Sequence, residues 1–541
     1  MDFAFGTLST DALQRYHHQL LRQGVRHGHE IEPRKPAAHQ PLTLFATVGV
    51  DVTAEAMACY YTTDGSEPTG QRGVAHNGQV AIFQNIATTW DNFVWGYTTR
   101  WATTLTGFAR GTRLRYRIGA WSAGGEELFA DYPDLKLSAE NAAHRHFSQK
   151  LPPDPAIRWG APRPGTIFTL TIGQPGAPDW AYQAIIYHLM IDRFYPGDGQ
   201  DWRQTNNLHG FCGGTLQGVY DKLDYIAALG VNCLWLSPLW TSPTPHGYDT
   251  ADYRQVEPRL GDKAVLRKLI DAAHARGLRV LFDMACNHLS NQHPIFQAAL
   301  ASSTSPYRDW FTFDDSPAGY RGFFGVPTMP EVNLTHPAAR DWMVENALYW
   351  LREFDIDGYR LDYANGPRPD FWSYFVDAGK REKADTFYFG EIIDTPDMLQ
   401  AYIGRLDGAL DFHLNHALRQ TYGWHNWSPA ACQRFVTRHQ QVMPADFVMP
   451  AFIDNHDMDR FLQITDGDQS AQLAAMEALM RLPNPPVIYY GSEVGLLQPM
   501  STAQGGLEVS RGPMLWGDEQ DKALLAQTQA LIHARRQATR A

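Results

Sequence analysis

Gly358-Tyr359-Arg360-Leu361-Asp362 is followed along the chain by Phe389-Gly390-Glu391 and then by Phe452-Ile453-Asp454-Asn455-His456-Asp457. Each stretch is a short apolar run that ends in or leads to a carboxylate. In a closed parallel sheet the C-terminal ends of the strands gather at one mouth, so carboxylates far apart in sequence meet there. Cleaving a glycosidic bond takes one acid to protonate the leaving oxygen and one carboxylate to face the oxocarbenium-like carbon. Glu391 and Asp362 suit those two tasks.

Outward from these stretches, apolar runs alternate with helical patterns. Candidate strands fall at 184–189, 231–236, 279–284, 358–361, 386–389, 409–412, 447–453 and 486–490, with helices at 216–229, 263–276 and 340–354 among them. A repeated strand–helix order predicts an α/β fold with a parallel sheet, and eight strands predict a (β/α)8 TIM barrel. The barrel is expected over 181–541, closing with a helix at 518–537. The loop after the third strand, 288–333, is long for its type. Its Trp310, Phe311, Phe323 and Phe324 can wall a cleft or fill the insert's own core.

The first 180 residues read differently. Leu13, Tyr16, Leu20 and Leu21 are spaced for one helix face, capped by Ser9 or Thr10 and stopped at Gly24, so 1–36 reads as a helical segment and linker. From 37 to 140 short alternating runs such as Leu44-Phe45-Ala46-Thr47-Val48 and Leu114-Arg115-Tyr116-Arg117-Ile118 predict an antiparallel β-sandwich. Trp90, Trp95, Trp101 and Trp121 within it either stack on sugar rings or, by the commoner fate of tryptophan, are buried. The Pro- and Gly-rich stretch 141–180 reads as a linker.

Composition narrows the function. The chain has 541 residues and a formal charge of -12, with 44% hydrophobic and 19% charged residues. A nucleic-acid partner would call for a basic stripe, which is absent, and no apolar run approaches the ~18 residues that span a bilayer. Neither nucleic acid nor membrane is an expected partner; a neutral sugar fits. The five cysteines lack metal-ligand spacing and are odd in number, which argues for reduced thiols. With no basic start or apolar stretch of about 7 to 15 residues at the N-terminus, the expected location is cytoplasmic.

Taken in chain order, Asp283-Met284-Ala285-Cys286-Asn287-His288, Met329-Pro330-Glu331-Val332-Asn333 and the three opening stretches resemble the ordered motifs of the alpha-amylase family of glycoside hydrolases. The resemblance covers residues 183–517. Tyr60-Tyr61-Thr62-Thr63-Asp64-Gly65-Ser66-Glu67-Pro68 resembles a hairpin in the accessory domains of its neopullulanase/cyclomaltodextrinase-like branch. The family normally adds a C-terminal β-domain, and none is expected here.

The resemblance implies that Asp362 is the nucleophile, Arg360 its orienting partner, Glu391 the acid/base and Asp457 the carboxylate that binds sugar hydroxyls. It implies further that His288 and His456 contact those hydroxyls and that Tyr248, in His246-Gly247-Tyr248-Asp249, is a platform for the ring. Arg360 lies two residues before Asp362 on one strand face, and the residues alone predict that it lowers the aspartate's pKa. Apolar neighbours favour a protonated Glu391.

Many relatives hold calcium with an asparagine at position 287 and a histidine at position 366, where this chain has Gly366. A second family calcium loop resembles 192–198, but Pro196 and Thr215 stand where asparagine and aspartate are usual. With Asp198 and Asp201 remaining, no metal ligand is assigned and the expectation is a weak calcium site or none, since calcium wants six to eight oxygens. The implied activity is retaining hydrolysis of maltooligosaccharides, cyclodextrins or pullulan-type α-glucans. A transglycosylase of the same family and a catalytically silent sugar-binding barrel are the alternatives, and a homo-oligomer is compatible with either.

Overall fold

The computed structural model describes His18 and residues 22–132 and 165–538. The helix expected over 10–21 therefore lies, His18 apart, outside the described residues, as does most of the expected linker 141–180.

The N-terminal part is two antiparallel sheets. Leu42–Val48 pairs with Gly96–Leu105, which pairs with Gln84–Asp91; in the second sheet Ala56–Thr62 lies between Gln79–Ile82 and Arg113–Trp121. Along Leu42–Val48 every second residue is buried, and Leu114, Tyr116 and Ile118 alternate in the same way in the facing sheet. A period of two puts one row of each strand into a shared core, and this is the pattern legible in the sequence.

The edges differ from the expected 37–140. Val25–Arg26 and Ile31–Glu32 pair with Leu42–Val48, and Phe168–Thr171 pairs with Arg113–Trp121. Stretches read as linkers thus extend both sheets. The reason is burial: Ile31, His27, Phe168 and Leu170 are 1% exposed or less, and His27 Nε2 meets Tyr116 Oη at 2.8 Å. Two- to four-residue strands are too short to show a period of two. Trp101 is buried, while Trp90 and Trp95 are exposed and pack edge to face at 5.4 Å.

Eight parallel strands follow: Ile186–Leu189, Cys233–Leu236, Arg279–Ala285, Gly358–Asp362, Phe387–Gly390, Gly408–Ala409, Ala451–Phe452 and Pro486–Tyr489. Each pairs with the next except the sixth and seventh, and the first pairs with the eighth. A parallel bridge between Gly408 and Val448 joins the sixth strand to the segment that leads into the seventh and closes the barrel. The approach is so close that a Cβ on Gly408 would sit 1.6 Å from Val448 O, which only glycine tolerates.

The sixth strand stops earlier than 409–412. Asp411 accepts from Leu414 N at 2.9 Å and starts the helix Phe412–Leu418, so Phe412 is helical. The final helix is Lys522–Ala538. The sandwich docks on the helix Arg368–Glu382, which follows the fourth strand. His29 Nε2 meets Asp370 Oδ2 at 3.1 Å, Thr169 N donates to Asp370 Oδ1 at 2.5 Å and Arg113 pairs with Asp377 at 2.6 Å.

Within 288–333 the helix Pro294–Ala301 packs on Trp310 and Phe311, both buried, and a bridge from His288 to Glu331 returns the chain to the barrel mouth. Trp310 and Phe311 are thus the insert's core. Phe323 instead faces the pocket described next.

Candidate active site

A cavity of about 300 Å³ opens at the C-terminal ends of the strands, lined in part by Tyr248, His288, Phe323, Tyr363, Asp362, Glu391 and Asp457. Five of the seven residues expected in the site line it. Arg360 and His456 do not; both side chains are fully buried behind the wall.

Arg360 organises the floor. Its Nη1 lies 2.8 Å from Asp362 Oδ1 and 2.7 Å from Asp283 Oδ1, and its Nη2 lies 2.6 Å from Glu391 Oε2. Strand geometry explains the first contact, because residues two apart share a face. Registry explains the others: Asp283 pairs with Arg360 across the third and fourth strands, and Glu391 follows the fifth. One buried cation therefore serves three carboxylates.

That sharing corrects the expected pKa of Asp362. Burial pushes its carboxyl well above the usual carboxylate range, and the pull of Arg360 is offset by Glu391 and Asp283. Burial raises Glu391 as well, against Arg360, while Asp457 pushes it further up. Burial thus holds both carboxyls above the usual carboxylate range. Tyr363 N donates to Glu391 Oε2 at 3.1 Å and fixes its orientation.

Asp457 behaves oppositely. Burial would raise it, but the His456 imidazole at 2.9 Å and the Arg511 guanidinium at 2.8 Å hold it well below the ordinary range. His456 Nε2 also meets Tyr248 Oη at 2.6 Å, the two rings lying 11° from parallel with centroids 5.4 Å apart. Tyr248 Oη in turn donates to Asp283 Oδ2 at 2.9 Å. His456 thus braces Asp457 and Tyr248 from behind. His288 stacks on Phe323 at 4.4 Å, and both line the cavity.

His246, Met329, Tyr363, Leu507, Glu508 and Arg511 also line the cavity, and none of them was expected there. Arg511 and Glu508 lie on the loop after the eighth strand and pair with each other at 2.5 Å. Their position beyond a barrel strand's C-terminal end was the available signal.

The residues do not fit the calcium sites implied by the family. Gly366 offers no side-chain donor, and a Cβ there would lie 2.0 Å from Asn287 Oδ1. In the 192–198 loop the Asp192 carboxylate accepts from Cys212 N and Gly213 N at 2.8 and 3.1 Å and pairs with Arg193 at 3.0 Å. Pro196 O takes the Thr215 hydroxyl at 2.6 Å. Protein donors thus already use the Asp192 and Pro196 oxygens of this loop.

Residues 188–538 match the family described as alpha amylase, catalytic domain. Over 371 residues the chain is 38% identical to an alpha-amylase 2 of Dictyoglomus thermophilum, covering 68% of this chain and 65% of the relative. It is 33% identical over 383 residues to a cyclomaltodextrinase of Geobacillus thermopakistaniensis, covering 67% and 63%. Its structure is similar to that of a cyclomaltodextrinase with a TM-score of 0.64 and 26% identity, over 95% of this chain and 84% of the other. The chain spans just under two thirds of the length of those two sequence relatives. Among the described residues no helix is long and apolar enough to cross a membrane.

Proposed function

The chain belongs to the alpha-amylase family, and on that premise we propose that it hydrolyses α-glucosidic bonds of maltooligosaccharides, cyclodextrins or pullulan with retention of configuration. The observation that carries this reading is Arg360, whose single guanidinium holds both Asp362 and Glu391 at the floor of one pocket, at 2.8 and 2.6 Å. Retaining glycosidases need their two carboxyls close together, because one attacks the carbon that the other's leaving group vacates.

In this reading Asp362 attacks the anomeric carbon while Glu391 gives its proton to the departing glycosidic oxygen, forming a covalent glycosyl-Asp362. Glu391, now a carboxylate, takes a proton from water, which attacks the same carbon and frees Asp362. Arg360 keeps the nucleophile aimed and stabilises the negative charge that Asp362 carries before attack and regains on release. Asp457, kept ionised, accepts hydrogen bonds from hydroxyls of the bound ring, with Tyr248 beneath that ring and His288 beside it. The upward shift that burial gives Glu391 matches an acid that must be protonated when substrate arrives.

All five cysteines are buried free thiols, which supports the proposal of a reducing, cytoplasmic setting. Release of reducing ends from pullulan, cyclodextrin and maltotriose tests the activity and ranks the substrates. Absence of release from all three would sink the hydrolase reading. Larger oligosaccharides accumulating at high maltotriose would favour transfer to a sugar over transfer to water.

A further inference from the structure

Asp411, His413 and His439 converge in a part of the barrel that the glycosidase chemistry leaves unused. Asp411 follows the sixth strand and divides its carboxylate: Oδ1 caps the helix Phe412–Leu418, and Oδ2 meets His439 Nε2 at 3.1 Å and accepts from Asn484 Nδ2 at 3.3 Å. His439 comes from the last turn of the helix Pro429–Val442. His413 adds a second imidazole, its ring centroid 5.4 Å from that of His439. One donor atom from each of the three lies within 4.8 Å of the other two.

A buried histidine paired with a carboxylate is ordinary and accounts for His439. It leaves His413 unexplained. Among the described residues His413 Nδ1 is buried and has no hydrogen-bond partner, a desolvation cost that folded proteins rarely carry without a reason. A cavity of about 360 Å³, lined by Asp411, His439, Tyr182 and Asn484 among others, opens beside the cluster and has room for water. It shares no lining residue with the catalytic pocket.

We propose that Asp411, His413 and His439 form a binding site for a divalent transition-metal ion, best suited to zinc, with a water from the adjoining cavity as fourth ligand. Two imidazole nitrogens and one carboxylate oxygen match zinc's tetrahedral preference, whereas calcium and magnesium demand oxygen. On binding, His439 carries its proton on Nδ1 and turns the Nε2 lone pair to the ion, so its hydrogen bond to Asp411 is exchanged for two bonds to metal. The three donors draw in to bond lengths of roughly 2.0–2.2 Å. Asn484 keeps its hydrogen bond to Asp411 and orients the ligand from behind. The ion would staple the helix after the sixth strand to the helix before the seventh.

The test uses the full chain, freed of metal by chelation and dialysis and titrated with zinc by calorimetry and with cobalt(II) by visible absorption. The expected result is one zinc per chain, the intense ligand-field bands of tetrahedral cobalt and a raised melting temperature. Asp411→Asn keeps the helix cap and His413→Gln removes only an imidazole. Each is expected to weaken zinc binding by more than about 100-fold, exceeding the ~10–100-fold typical of losing an outer partner, with maltotriose hydrolysis and the metal-free circular dichroism unchanged. No saturable zinc uptake, a six-coordinate cobalt spectrum in the unaltered chain, or unchanged affinity in both variants would overturn the site.

Discussion

Arg511 donates to Asp457 Oδ1 at 2.8 Å, and its Nε donates to His456 O at 2.9 Å. The loop after the eighth strand therefore holds the side chain of one residue and the backbone of the one before it. Asp457 gives its other oxygen to His456, which is braced in turn by Tyr248. A chain of contacts thus runs from the eighth-strand loop through Asp457 and His456 to Tyr248 and Asp283.

Removing the cation should release that chain. Losing one partner of a buried pair typically costs about 3–5 kcal/mol, so Arg511→Ala should destabilise the protein and lower kcat/KM for maltotriose by about 100-fold or more. Its sign in pH is fixed by Asp457, whose carboxyl rises toward the ordinary range once Arg511 is gone. The acid limb of kcat/KM should then move to higher pH, and Arg511→Lys should restore part of the shift. An unmoved acid limb in Arg511→Ala would mean that Arg511 is only structural.

If Asp362 and Glu391 act as nucleophile and acid/base, proton NMR of the first-formed sugar should show the α-anomer. Asp362→Asn should lose at least about 1,000-fold in kcat, the order seen when parts of a covalent catalytic unit are removed. Glu391→Gln, offered a substrate whose leaving group needs no protonation, should accumulate a glycosyl-enzyme detectable by mass. A β-anomer as first product contradicts the reading.

How far this was legible depends on range. Asp362, Glu391 and Asp457 end or follow strands whose apolar runs and order are written locally, so both the barrel and its mouth could be read. The charge state of Asp362 could not, because it depends on Asp283, 79 positions away, and on Glu391, which compete with it for one arginine. Arg511 reaches the site across 54 positions, and no periodicity records such a meeting. The short strands Ile31–Glu32 and Phe168–Thr171 escaped for a related reason: what makes them strands is the neighbour they pair with.

A buried carboxyl beyond Asp362 and Glu391 makes stability depend on pH. Burial pushes Asp394 up to about 7, against the hydrogen bond at 2.7 Å that it accepts from Thr395 N. An aspartate in the unfolded chain titrates near ~3.9, so the folded state holds this proton more tightly. The stabilisation is complete below about pH 4 and is lost as pH rises through about 7. Asp394→Asn keeps an acceptor for Thr395 N and removes the charge. At about 1.4 kcal/mol per pK unit, it should gain up to roughly 4 kcal/mol over the parent at about pH 8, and nearly nothing at about pH 4. Melting curves of the two proteins that stay parallel across that range would contradict this origin.

Calcium should be dispensable, and restoring the missing ligand should not create a site. Gly366 stands where many relatives have a histidine, yet the space that a side chain would need is already filled, with Asn287 Oδ1 2.0 Å from the nearest Cβ position. Overfilling a packed site typically costs about 1–3 kcal/mol. Gly366→His should therefore lower the melting temperature both with and without calcium, because Asn287 must move before either residue can face an ion. Calcium added to chelator-treated parent protein should leave its melting temperature where it was, since the Asp192 oxygens are held by Cys212 N, Gly213 N and Arg193. Zinc, acting at Asp411, His413 and His439, should raise it under the same conditions, so the two ions separate the sites within one experiment. A calcium-dependent rise in the parent, or a rise gained by Gly366→His, would show that the loop oxygens can be recruited after all.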